Sequence, residues 1–261
     1  MSLRVRAALT LALLATLVSG GCGGRSIFGK QYEYEEDLYV KTDGTADLIV
    51  NASVAALVSL RGLQLDPDPR SPLDREAVRA AFQSPVTDVV RVSRPWTKHG
   101  RRFIQVRLRV SDVRKLSAAS PFSWSKYDLL VRDGQRVFLQ TVGPSAMRPG
   151  TLRNYGWTGG ELVAFRLHLP SRILWHNARD VETGAATNVQ RGNILAWEQP
   201  LTERLDGQPI SIEVRMDTQS ILYRTLWLFA GAFLAAILVI GALIWLTIRK
   251  GARDAAVQTT P

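Results

Sequence analysis

Apolar positions along this chain fall into three regimes: an uncharged run at residues 7–18, a long middle of short alternating segments, and an unbroken apolar run at residues 226–248. The last run is long enough, at about 1.5 Å of helical rise per residue, to cross about 30 Å of hydrocarbon. It predicts a transmembrane helix. Trp227 and Trp245 stand near its two ends, where indole rings favour the headgroup interface. The first run falls short of the ~20 residues that a span needs. It follows Arg4 and Arg6 and leads into Ser19-Gly20-Gly21, the layout of a secretory signal peptide.

In the middle, alternation with a period of two predicts strands, and glycine-bearing turns pair them into hairpins. One hairpin turns at Asp43-Gly44, a second near His99-Gly100 between residues 88–96 and 101–110, and a third at Asp133-Gly134 between residues 127–132 and 136–142. Short helices are expected over residues 53–60, closed by Gly62, from Ser71-Pro72 through Phe82, and over residues 111–116. Further strands are expected at residues 161–169, 193–198 and 210–215. The predicted class is α+β: a mainly antiparallel sheet with two or three short helices on one face, a β-rich second half, and one C-terminal transmembrane helix.

The resulting organisation is a lipoprotein-type signal peptide over 1–21, a lipid-anchored linker over 22–30, an α+β extracytoplasmic domain over 31–142, and a linker or loop over 143–158. A β-rich extracytoplasmic region follows over 159–220, then a transmembrane helix over 224–248 and a cytoplasmic tail over 249–261. The break rests on the glycines and prolines between Gly143 and Gly150, and the β-rich region is either a sheet extension or a small sandwich. Arg249, Lys250 and Arg253 follow the apolar run while Arg224 alone sits close before it, which places the tail in the cytoplasm and the domain outside the cytoplasmic membrane. No ionisable residue lies within 226–248, so the helix reads as an anchor rather than an ion path. Gly231 and Ala235 make a small-xxx-small pair through which a membrane-protein partner could approach.

Cys22, the chain's one cysteine, directly follows the small residues. Here the N-terminus resembles a bacterial lipoprotein signal, in which such a cysteine marks the cleavage point and receives a diacylglyceryl group. Ser19 stands where leucine is more usual, and the alternative is a plain signal peptide with a free thiol. With one cysteine the mature chain forms no internal disulfide. The whole plan resembles the mycobacterial LppM family and related bacterial lipoproteins. The residues that carry it are the Asp43-Gly44 hairpin, the stretch 108–116 from Leu108 to Leu116, the Leu169-Pro170 pair with Asn177, and residues 193–197 before the anchor. The resemblance implies an envelope protein with a domain similar to BON domains, for which phospholipid or glycolipid contact is the usual proposal.

Charge sharpens one part of this picture. The formal net charge is +10, and the second hairpin gathers Arg91, Arg94, Lys98, Arg101, Arg102, Arg107 and Arg109 with Asp88 as its one acid. A period of two sets Arg101, Phe103, Gln105, Arg107 and Arg109 on one face, expected outward, and Arg102, Ile104, Val106, Leu108 and Val110 on the core face. Guanidinium forks bind phosphate and carboxylate in bidentate fashion, so an anionic lipid or glycolipid, an envelope polymer or an acidic protein suits such a ladder. The alternative is a solvated sheet face protected from edge pairing by its charges. Nucleic acid is set aside because the signal peptide exports the domain.

The acidic run Glu33, Glu35, Glu36 and Asp37 could bind a cation, pair with the arginine hairpin or be solvated; it lacks the turn geometry of a metal loop. Tyr155 and Trp157, set among glycines, form a candidate aromatic contact. No Gly-x-Ser-x-Gly elbow, phosphate loop or zinc spacing occurs. His168, His176 and Asp180 form the one set that could meet for acid-base work. The expected protein is not an enzyme and uses no metal or other cofactor.

Overall fold

The computed structural model describes residues 29–146 and 155–258. The expected signal peptide and Cys22 lie outside the described residues, as do 147–154 within the expected linker and the last three residues of the tail.

Among the described residues, eleven strands form two sheets. In the larger sheet β1 (Gln31–Val40), β2 (Ala46–Ser53), β3 (Thr87–Val92), β4 (Trp96–Lys98), β5 (Arg101–Val110), β8 (Glu161–His168) and β10 (Ile194–Pro200) follow the order β10-β8-β1-β2-β5-β3, and β4 pairs with β5. The smaller sheet orders β6 (Ser125–Arg132), β7 (Gln135–Val142), β11 (Ile210–Ser220) and β9 (Ser171–His176) as β6-β7-β11-β9. The hairpins β1–β2 and β6–β7 pair antiparallel, as do β2–β5, β3–β5, β8–β10 and β7–β11. Strands from both sides of residues 143–158 share each sheet, since β8 enters beside β1 and β11 beside β7. The β-rich second half thus extends the sheets of the first.

Local chemistry sets the turns. His99 and Gly100 (φ 49° and 71°) and Asp133 and Gly134 (φ 52° and 71°) both take the left-handed region that two-residue hairpins require. The first helix, α1 (Val54–Arg61), starts under a Ser53 cap whose hydroxyl accepts from Ala56 N at 3.0 Å, and ends at Gly62 in the left-handed conformation. The second, α2 (Arg75–Phe82), is capped by Asp74, which accepts from Glu76 N and Ala77 N. Its start therefore lies beyond Ser71-Pro72, where the sequence placed it. Residues expected as a helix at 111–116 instead form the 3-10 turn Val113–Ala118, capped by Asp112. A short α3 (Leu201–Leu205) follows β10, and α4 (Ile221–Gln258) continues directly from β11.

The inward faces meet in one core. Tyr34, Leu38, Leu48, Val50, Ile104 and Val106 from the larger sheet pack with Phe138, Val142, Ile212 and Val214 from the smaller one, and α1 inserts Ala56, Leu57 and Leu60. Asn177 binds parts of both sheets: its Oδ1 accepts from Trp197 Nε1 at 2.9 Å and from Glu213 N at 3.0 Å. α4 differs in kind. Its segment Ile221–Arg249 is apolar and long enough for a membrane span, and none of its apolar window is buried within the protein.

Candidate contact surface

Two of the seven hairpin cations are part of the interior rather than of an outward ladder. Arg101 is 7% exposed and Arg102 5%. Arg101 stands on the predicted face, but residues 155–161 cover that end of the sheet: its Nε donates to Glu33 Oε1 at 2.9 Å, its Nη1 to Gly156 O at 2.8 Å, and Glu161 lies at 3.5 Å. Arg102, on the core side, donates to Asp66 O at 2.5 Å. Arg91, Arg94, Lys98, Arg107 and Arg109 remain exposed.

The expected aromatic contact belongs to the same cover. Trp157 is half-buried, packs against the core, and donates from Nε1 to Glu33 Oε2 at 3.1 Å, while Tyr155 meets it edge-on at 5.3 Å. The loop is fastened by Glu161, which accepts from Thr158 N and Gly159 N at 2.9 Å each. Burial opposes ionisation of that carboxyl, but these N–H groups and the Arg101 guanidinium hold it below the usual carboxylate range. Of the acidic run, Glu33 thus pairs with the arginine hairpin.

What stays open is the β5 side of the outer face. Tyr39, Asp47, Ile49, Val90, Arg107 and Arg109 border a groove of about 360 Å³. Its floor is the β2–β5 pairing, in which Ile49 faces Arg107 and Asp47 faces Arg109. Arg107 Nε donates to Gln105 Oε1 at 3.0 Å, and Gln105 Nε2 in turn to Asn51 Oδ1 at 2.9 Å, which props the guanidinium over the groove. Arg109 reaches Asp88 only at 3.9 Å, with both side chains more than half exposed. Such a pair is weak in water and leaves the guanidinium able to take another anion.

The β1–β8 side of the same face neutralises itself. Arg166 Nη1 contacts Glu35 at 2.6 Å and Asp37 at 3.7 Å and lies over the Tyr32 ring, whose hydroxyl donates to Glu198. His168 stacks on Tyr39 at 3.8 Å and faces Asp37 at 3.6 Å. Burial drives His168 below its ordinary value of 6.5, with Asp37 opposing. His168 and His176 sit on strands of different sheets, β8 and β9, and Asp180 is occupied in its own turn by Thr183 N and Oγ1. The acid-base set considered from sequence does not assemble. Among the described residues no group of three or more His, Cys, Asp and Glu side chains converges as a metal site would.

Sequence reasoning missed two buried arginines, Arg61 and Arg204. Arg61, at the end of α1, is sandwiched in the core: its Nη2 meets Glu36 and Tyr34 Oη, and its guanidinium carbon lies 3.5 Å from the centre of the Trp124 ring. Arg204 of α3 approaches that ring at 5.4 Å and donates to Gly143 O. Burial pushes both guanidinium groups down to about 10. A signal was present in the alternation of β1, which puts Glu36 in phase with Tyr34 and Leu38 on the core face.

No protein-family model matches the chain. No curated protein matches it either. In the solved structures the chain is similar to the folded domain of Mycobacterium tuberculosis LppM, determined by NMR, with 10% identity, a TM-score of 0.37, and coverage of 75% of this chain and 95% of that one. That protein belongs to the family that the sequence resembles.

Proposed function

We propose that this chain is a non-enzymatic cell-envelope lipoprotein that stays in the cytoplasmic membrane through α4, carries lipid on Cys22, and holds its two-sheet domain on the extracytoplasmic side. It works by contact. The domain binds an anionic partner, with anionic lipid or glycolipid as the first candidate and envelope polymer or an acidic protein as the others. The observation that carries this reading is the open groove on the outer face, where Arg107 and Arg109 stand exposed beside Tyr39, Ile49 and Val90. A guanidinium pair flanked by apolar and aromatic surface suits a ligand with an anionic head and a less polar body.

The test is co-sedimentation of the full-length protein, held in nanodiscs of phosphatidylcholine, with vesicles of phosphatidylcholine or of phosphatidylglycerol. Binding should favour the anionic vesicles, weaken with salt, and be lost in the double variant Arg107→Glu, Arg109→Glu. Equal binding to both vesicle types, or an unchanged double variant, contradicts the lipid reading.

A further inference from the structure

The proposed span also fixes which end of the domain meets the bilayer. β11 runs straight into α4: Tyr223 N donates to Ser220 Oγ at 3.1 Å, and Ile221 N donates to Pro170 O at 2.9 Å, which ties the helix root to the β8–β9 turn. Asn193 secures that turn by donating from Nδ2 to Leu169 O at 2.8 Å and to Ser171 O at 2.5 Å. On the other side of β11, Asp217 is in register with Gln135. The Asp133-Gly134 turn therefore lies alongside residues 218–220, level with the start of the helix.

The chemistry at this root is one-sided. Arg172 and Arg224 share a single carboxylate, Asp217, at 3.4 and 3.1 Å. Arg132 is exposed at the tip of β6 and has no ion pair among the described residues, and Arg136 donates to Thr42 O in the β1–β2 turn. On the other face of the β6 tip from Arg132, Val131 stands in register with Arg136 and is 64% exposed. Immediately beyond, Tyr223 and Trp227 of α4 pack edge-on at 6.2 Å, an aromatic pair at the depth where a headgroup layer would begin.

We infer that the β6–β7 tip and the helix root form a lipid-docking foot: Arg132, Arg172 and Arg224 bind anionic phospholipid headgroups of the leaflet that α4 enters, and Val131 dips into that leaflet. This rests on the reading of α4 as a membrane span. It also gives the arginine hairpin its position. β5 runs from the Lys98–Gly100 turn to Val110, beside the β1–β2 turn that Arg136 touches, so ten residues, about 30 Å of strand, separate that turn from the foot. The foot grips the bilayer while the far tip of the hairpin is held away from it.

A photo-crosslinking residue, p-benzoylphenylalanine, placed at Val131 or at Lys98 in the full-length protein and illuminated in phosphatidylglycerol nanodiscs, tests the assignment by mass spectrometry of lipid adducts. Position 131 should give adducts and position 98 almost none. Exchanging the disc lipid for phosphatidylcholine, or introducing Arg132→Glu, should each lower the yield at 131 by about fivefold or more, the worth of one arginine at an anionic surface. Equal yields at 131 and 98 in the unaltered background overturn the foot without reliance on any charge variant, as does a yield at 131 that ignores lipid charge. Release of the protein from the discs by alkaline carbonate overturns the spanning reading and the foot together. Retention without adducts at 131 overturns the foot alone.

Discussion

At the scale of single residues, Arg61 and Arg109 show how different two guanidinium groups in one domain can be. Arg61 is enclosed with Glu36, whereas Arg109 and Asp88 face each other through solvent. Removing one partner of a buried pair strands the other charge, so Glu36→Gln should cost about 3–5 kcal/mol in denaturant unfolding of the micelle-held protein. Asp88→Asn should change it by under about 1 kcal/mol. Similar effects for both would mean that Arg61 is less enclosed than described. The histidines give a pH signature. Burial lowers His168 and His176 below 6.5, so the unfolded chain binds more protons over the window just beneath that value. Stability should fall as pH drops through the window and level off below the folded values. Replacing both by glutamine should flatten that fall; an unchanged slope would contradict the assignment. Charge alone made Arg101 and Arg107 look equivalent in sequence. What separates them is the loop of residues 155–161 folding over one end of the strand, a tertiary contact that alternation cannot reveal.

Among the elements, the hairpins were legible because their signals are local: a left-handed turn at Asp133-Gly134 and a period of two on either side decide both strands at once. α1 was legible for the same reason, with its serine cap and glycine stop. β9 was not. Its sequence, Ser171-Arg172-Ile173-Leu174-Trp175-His176, lacks clean alternation because the strand is an edge strand whose pairing with β11 is broken by register shifts after Arg215 and Met216. Nor could spacing reveal that the proline- and glycine-rich stretch begins as a packed connection. Gly143 N donates to Trp124 O at 2.7 Å, and a Cβ built on Gly143 would meet that carbonyl oxygen at 2.6 Å. Gly143→Ala should therefore destabilise by about 1–3 kcal/mol through forced backbone displacement, and Gly160→Ala, where nothing lies within 4 Å, should be nearly neutral. Thermal unfolding of the two variants checks this, and equal shifts would contradict the close approach.

For the whole molecule, the two ends and the middle answer different questions. The apolar helix is the feature most plainly written in the sequence, because crossing hydrocarbon demands length and apolarity and little else. The groove and the foot were hidden, since each joins residues that are distant in the chain: Tyr39 with Val90 and Arg107 in one, Arg172 with Asp217 and Arg224 in the other, with Arg132 brought level by the β6–β7–β11 register. On this account the foot holds the domain on its own membrane, and the groove presents Arg107 and Arg109 to an anionic ligand. Everything depends on the domain standing outside with α4 through the bilayer. Protease added to intact spheroplasts measures that directly. The account predicts that the two-sheet domain is digested while a fragment containing α4 and the tail stays in the membrane. A domain that survives until the membrane is breached would contradict it.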